Sequence, residues 1–390
     1  MLLAVVLGVV VLVGSYHAFL FLLDIQRKRR MLSHLPTLPS WPIVGSLPYM
    51  DLTPEGMLRE MVLSANKTTA EGGNLGSVWV FHQNFAQPLN GKAVKTILDS
   101  TEEITKGGEI PFTGDRWRHH RRLLTPVFHF AMLDGYVEAM NRHAKIFVDE
   151  ILVQKCDEEV DLYPLIRHCT FDIICETTMG SDLAIQRNPL HPYASLVQKV
   201  INMTVEISMK PILWSRLVRK LIGYEKRFLN AVEAAQVLEK RIEAVHNGTV
   251  EQSKRVFIDL FTQMKEENLS FEDLREEVDT FMFEGFDTTA SGLCWIIICL
   301  ACNPQVQQQV YEEIVDVLGD DHERDITRSD LHKLAYLERT VKETFRLFPP
   351  VPVVMRMLQN DFQSGPDLLP KGTTLMITPI TIHRNEFRHF

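Results

Sequence analysis

The hydrophobic pattern sets the N-terminus apart from the rest of the chain. Met1 to Leu23 carry no formal charge, and the first charged residue is Asp24. As a helix that stretch reaches about 34 Å, enough to cross a hydrocarbon core. Arg27-Lys28-Arg29-Arg30 follows at once, and the positive-inside tendency puts this cluster and everything after it on the cytoplasmic side. A cleaved secretory signal has the opposite order, with charge first and a shorter apolar run behind it. Residues 1–23 therefore read as an uncleaved transmembrane anchor helix. Residues 24–50 read as a basic, proline-rich hinge, because Pro36, Pro39, Pro42 and Pro48 fix φ and remove backbone donors. That composition suits a stiff spacer and a flexible linker alike.

Beyond residue 50 there is no repeat and no low-complexity run. Thr53-Pro54-Glu55 supplies an N-cap, a first-turn proline and a dipole-matched acid, the start of a helix. Helical periodicity predicts further helices over about 132–154, 160–179, 189–207, 224–247, 271–302, 303–318 and 331–347. Ser77–Phe81 and Thr373–Ile377 have the β-branched and aromatic content of short strands. Residues 51–390 are thus predicted to form one large domain, mainly α with a small β component. From Phe281 onward the 271–302 segment is apolar nearly all round, which predicts a helix buried on every side.

Composition narrows the function classes. Hydrophobic residues at 45% and charged residues at 23% exclude wholesale disorder. The net charge of −9 argues against a nucleic-acid partner, which needs a cationic surface. Six cysteines show no disulfide framework and suit a reducing compartment. Cys299-x-x-Cys302 has no second ligand pair, so no metal site is predicted.

Three clusters carry candidate chemistry. Glu284-Gly285-Phe286-Asp287-Thr288-Thr289 interrupts the apolar helix with two carboxylates, a helix-weakening glycine and hydroxyls able to bond backbone carbonyls. A helix break at Gly285 recapped by Asp287 to Thr289 is the structural alternative. Glu343 and Arg346 lie three apart on one helix face, an ordinary pairing by spacing alone. Trp117 and Arg121 lie four apart in Gly114-Asp115-Arg116-Trp117-Arg118-His119-His120-Arg121-Arg122. They are equally a clamp for a carboxylate or part of a solvated basic face.

Together these blocks resemble the cytochrome P-450 superfamily of haem-thiolate monooxygenases. Glu284 to Thr289 resembles the oxygen-activating groove of its central helix, and Glu343-x-x-Arg346 resembles its signature helix. Pro349-Pro350-Val351-Pro352 with Arg356 follows as that pattern requires. Trp117-x-x-x-Arg121 resembles the helix that contacts a haem propionate. Leu124 to Phe130, Phe171 to Gly180 and His383-Arg384 add to the likeness, whose wording points to family 4 and its insect members.

The resemblance implies a P-450 fold and a b-type haem. Asp287 and Thr288 are then the catalytic proton relay, and Gly285 leaves room for dioxygen. Trp117, Arg121 and Arg356 hold the propionates, Glu284 forms an ester with a haem methyl, and Glu343 and Arg346 are structural. It also implies an NADPH-dependent flavoprotein reductase, membrane lipid and an apolar small-molecule substrate as partners, and a place in the endoplasmic reticulum membrane with the body cytoplasmic. The substrates implied are fatty acids, hormones or foreign apolar compounds. Phe286 stands where family 4 usually has a histidine. The family's Phe-x-x-Gly-x-x-x-Cys-x-Gly loop, which carries the iron's thiolate, does not occur in the 390 residues. Gly107 to Thr113 replaces a longer substrate-covering segment. The expectation is a C-terminally truncated, inactive form of a monooxygenase. The alternative is a non-catalytic truncated membrane protein, a binding partner or a decayed copy.

Overall fold

The computed structural model describes residues 2–99, 104–106, 119, 121–122, 130–155, 159–180, 182–235, 271–319, 321 and 324–384. They fall into two compact units, Met1–Gly114 with Pro352–Phe390, and Asp115–Val351.

The first unit contains helix α1, Leu2–Met31, continuous through the basic cluster. Lys28, Arg29 and Arg30 occupy its last turn, where cations complement the helix dipole. Helix α2, Pro54–Ala70, begins as expected: the Thr53 side chain accepts a hydrogen bond from the Gly56 amide at 3.1 Å. Strands β1 (Leu75–Val80) and β2 (Gln83–Pro88) form a hairpin, followed by helix α3 (Gly91–Asp99) and strand β3 (Ile104–Lys106). Strands β4 (Val354–Leu358), β5 (Phe362–Ser364), β6 (Asp367–Leu369) and β7 (Thr374–Ile377) come from the far end of the chain. The five-stranded sheet has the order β1-β2-β7-β4-β3, with β2 and β7 parallel and the other pairs antiparallel.

The proline-rich segment is not a detached hinge. Leu32 and Leu35 are buried in the core with Trp79, Leu358 and Leu375. The Ser77 amide donates to the Pro36 carbonyl at 2.9 Å, and the Ser46 amide donates to the Trp79 carbonyl at 2.6 Å. Proline runs favour extended backbone, and here that backbone lies against β1 rather than standing free.

The second unit is helical in its described residues. It comprises α4 (Phe130–Lys145), α5 (Leu162–Met179), α6 (Pro192–Met209), α7 (Arg216–Leu221), α8 (Tyr224–Ala235), α9 (Phe271–Cys302), α10 (Pro304–Leu318), α11 (Arg328–Leu331) and α12 (Ala335–Leu347). Helix α9 packs along α5. Phe171 meets Phe286 edge-on with centroids 4.8 Å apart, and the Thr170 hydroxyl donates to the Phe286 carbonyl at 3.0 Å. A buried polar cluster joins α4 to α5. His143 Nε2 bonds Glu176 Oε2 at 2.9 Å, and Asp172 accepts from the Ile185 and Gln186 amides at 2.9 and 3.0 Å.

Helix α9 is unbroken, so Asp287 to Thr289 do not cap a second helix. Nor is it buried on every side. Phe283, Leu293, Ile297 and Ile298 are exposed, giving the helix a packed face and an open apolar one.

Candidate active site

The site begins with a backbone feature of α9. The Thr288 hydroxyl donates to the Glu284 carbonyl at 2.6 Å, and the Thr289 hydroxyl donates to the Gly285 carbonyl at 2.5 Å. Such i to i−4 bonds satisfy threonine in an apolar helix and load two successive carbonyls with an extra donor. Both threonines line an open groove of about 400 Å³, with Phe345, Pro349, Pro350 and Val351 as its other wall. Two contacts fix that wall against α9. The Trp295 and Phe348 rings stack 4.3 Å apart, and a Cβ on Gly292 would come within 3.1 Å of the Phe345 ring. Gly292 is thus a glycine because the aromatic ring of α12 lies directly on it.

Asp287 faces elsewhere. Arg167 Nε and the Tyr163 hydroxyl, both on α5, donate to the same oxygen, Oδ1, at 2.6 and 3.0 Å. The guanidinium also lies over the Phe286 ring, 5.2 Å from its centroid. Burial, then the neighbouring Asp287 carboxylate, pushes the Tyr163 hydroxyl up to about 12. Acid and hydroxyl, adjacent in sequence, therefore point to different partners about 100° apart on the helix. Sequence reasoning did not identify Tyr163 and Arg167. The available signal was their i, i+4 spacing on a helix that begins with Asp161.

The other candidates are placed as follows. Glu284 is exposed and shares the helix face of Thr288, four residues on, so the burial expected of it is absent. The missing side chain of Gly285 makes room for Ile174 of α5, since a Cβ there would lie 2.8 Å from the isoleucine Cδ1. Close helix contact, rather than space for dioxygen, is the role this geometry shows for it. Glu343 and Arg346 form a bidentate fork at 2.7 and 2.6 Å, which holds the Glu343 carboxyl below its ordinary range. They are half-exposed, at 56% and 45% of their side-chain surface, not buried. Arg121 is exposed beside Arg122, whose guanidinium meets His119 at 3.4 Å. Trp117 and the 107–113 segment lie outside the described residues. In the first unit, Arg356 sits in β4 between Lys106 and Leu375, with its guanidinium donating to the Met355 carbonyl at 2.8 Å.

The cytochrome P-450 family model matches residues 36–387. The chain is a cytochrome P-450. Its relatives include cytochrome P-450 4V2 of Mus musculus, 33% identical over 94% of this chain and 75% of the relative. Cytochrome P-450 4c3 of Drosophila melanogaster is 29% identical over 96% and 77%, and cytochrome P-450 4d2 of the same organism is 32% identical over 94% and 79%. The family-4 assignment rests on these numbers. Mammals and insects are both represented, so they do not single out an insect origin.

A P-450 implies haem, and the donor set can be tested against it. The groove offers what one face of a flat apolar cofactor needs: a hydroxyl-bearing helix on one side and an aromatic and proline wall on the other. The axial ligand is a different matter. Cys169 and Cys175 are buried, their thiols pushed up by desolvation, Cys169 to about 12, which suppresses the thiolate. Cys294, Cys299 and Cys302 lie on α9 beyond Thr289, and none of the three lines the groove. Among the described residues, one wall of a haem site fits and a thiolate ligand does not.

Proposed function

We propose that this P-450 presents the oxygen-facing wall of a family-4 monooxygenase site whose substrates are long apolar molecules of the fatty-acid class. In this reading α1 anchors the chain in the endoplasmic reticulum membrane, with the body on the cytoplasmic side and electrons arriving from an NADPH-dependent flavoprotein reductase. The observation that carries the reading is the groove floored by Thr288 and Thr289. There the two threonine side chains line one side of a groove whose other side is the apolar wall of Phe345, Pro349, Pro350 and Val351.

When bound, a haem supplies the redox chemistry of oxygen activation. The chain's own contribution is proton handling at Thr288. Thr288 holds its proton on the Glu284 carbonyl at 2.6 Å and can present the hydroxyl to the groove by rotating about one bond. Asp287 keeps Oδ1 on Arg167 and Tyr163, and Oδ2 receives neither donor, so Oδ2 is the oxygen left to pass a proton toward Thr288. The Arg167 and Tyr163 contacts thus hold the carboxyl in position through its other oxygen. In this reading the Glu284 carboxyl, one turn before Thr288 on the same helix face, would carry an ester link to a haem methyl.

Among the described residues no cysteine lines the groove, so these residues supply no axial thiolate there. A second, non-catalytic reading rests on that same feature. The test is the reduced carbon monoxide difference spectrum of the 390-residue polypeptide purified with added haem. The expected result is no thiolate-type Soret band, and its appearance would contradict the donor assignment. Haem retained after acid extraction, and lost in Glu284→Ala, supports the ester. Extraction of all haem from both chains removes it.

A further inference from the structure

The basic cluster after the apolar helix does more than report topology. Arg29 Nη2 donates to the Trp41 carbonyl at 2.9 Å, Nη1 donates to the Ser40 hydroxyl at 3.2 Å, and the guanidinium lies over the Trp79 ring, 4.8 Å from its centroid. Arg27 bonds Asp361 at 2.8 Å, and Phe21 meets the His82 ring edge-on at 5.1 Å. Residues 21–31 of α1 are therefore held against β1 and the turn that follows it. Toward its N-terminus the helix passes from Trp79 to His82 and leaves the unit at the β1–β2 turn.

The same end of the unit carries the tip of the proline-rich loop. The Phe81 amide donates to the Val44 carbonyl at 3.3 Å, and Gly45 bridges Val80. Gly45 has φ +68°, and a Cβ there would meet the Trp79 carbonyl at 2.4 Å, so the loop is tied to the strand edge at its turn. The apolar side chains of this tip are largely uncovered. Ile43 is 82% exposed and Trp41 58%, and the Trp41 indole donates to the Tyr49 hydroxyl at 3.2 Å. Trp and Tyr side by side, one end apolar and one polar, suit the headgroup level of a bilayer.

The lengths agree. Phe21 is held by the body, and the described part of α1 before it, residues 2–20, is about 28 Å long at 1.5 Å per residue, comparable to a hydrocarbon core of about 30 Å. We propose that Arg29 clamps α1 rigidly to the sheet unit, and that Trp41, Ile43 and Tyr49 form a collar at the base of α1 seated in the lipid headgroup layer. The bilayer is the chosen occupant because the collar is continuous with the apolar helix. This proposal rests on the anchor reading and adds a fixed depth and tilt to it.

The test uses the 390-residue chain reconstituted in phosphatidylcholine vesicles carrying bromine near the headgroup end or near the methyl end of the acyl chains. The expected result is tryptophan quenching by headgroup-end bromine that falls in Trp41→Phe, with little contribution of Trp41 to quenching by methyl-end bromine. Arg29→Ala should stay with the vesicles after an alkaline wash yet lose most of the Trp41 contribution, and Arg29→Lys, which keeps charge but not the planar fork, should fall between. Identical quenching in the intact chain and Trp41→Phe, with both retained by vesicles, overturns the collar and leaves the anchor standing. Unchanged Trp41 quenching in Arg29→Ala overturns the clamp. Release of the intact chain by the wash removes the anchor reading itself.

Discussion

Gly285→Ala puts a number on the contact between α9 and α5. Two effects oppose each other. Alanine gains about 1 kcal/mol over glycine in a helix interior. Its methyl, however, would sit 2.8 Å from Ile174 Cδ1 and 3.0 Å from Cγ1. Inserting a methyl into a packed contact costs about 1–3 kcal/mol, and at 2.8 Å something must shift. The terminal Cδ1 can turn aside, but Cγ1 is held by the α5 backbone, so the middle of that range applies. The expected net loss is about 1 kcal/mol. Ile174→Val removes Cδ1 and should by itself cost about 0.5–1.5 kcal/mol. In the double variant the closest contact, to Cδ1, is gone while the Cγ1 contact and the propensity gain remain, so the pair should be more stable than the sum of the singles by about 0.5–1 kcal/mol. Urea unfolding of the full chain in detergent, followed by helical circular dichroism, measures all four corners. Stabilisation by Gly285→Ala with additive singles would refute the close approach and return the glycine to the open side of the helix.

The remaining predictions use other parts of the second unit. Burial lowers the His143 affinity for protons and outweighs the nearby Asp172, so the folded form binds fewer protons than the unfolded one. Its stabilising contribution is complete above the ordinary histidine range near 6.5 and is lost as pH falls below it. The slope of stability between pH 7 and 5 should flatten in His143→Gln, and an unchanged slope assigns it elsewhere. Glu343 and Arg346, being half-exposed, should show a coupling below about 1 kcal/mol in a double-mutant cycle despite their fork geometry. Asp330 accepts from Arg324 at 2.8 Å, from the Thr327 hydroxyl at 2.6 Å and from its amide at 3.0 Å, closing a capping box. Asp330→Ala should cost about 2 kcal/mol, most of it from lost capping and an unpaired guanidinium, as read from the thermal midpoint.

Elements with strong local signals were legible. Thr53-Pro54 marked the start of α2, and apolar continuity marked α9 over 271–302. Strand β2 was missed because Gln83, Asn84, Gln87 and Pro88 look like a loop, whereas the buried amides of Asn84 and Gln87 find partners only in the folded sheet: Ser77 at 2.7 Å and Thr378 at 3.1 Å. Local composition cannot reveal such long-range partners. The same limit hid the pairing of Asp287 with Arg167, 120 positions away, and made the proline-rich segment look detached. The groove threonines were found because threonine in an apolar helix is unusual on its own terms. The expected burial of α9 failed for a different reason, since hydrophobicity all round a helix does not state which faces are packed.

Haem titration of the intact chain and of Thr288→Trp tests most directly whether the Thr288 groove receives the cofactor. Binding followed by quenching and by the Soret band should be weakened at least tenfold by the tryptophan, which fills the groove, while Leu293→Trp on the exposed face of α9 leaves it unchanged. Equal haem affinity in all three chains would contradict the site.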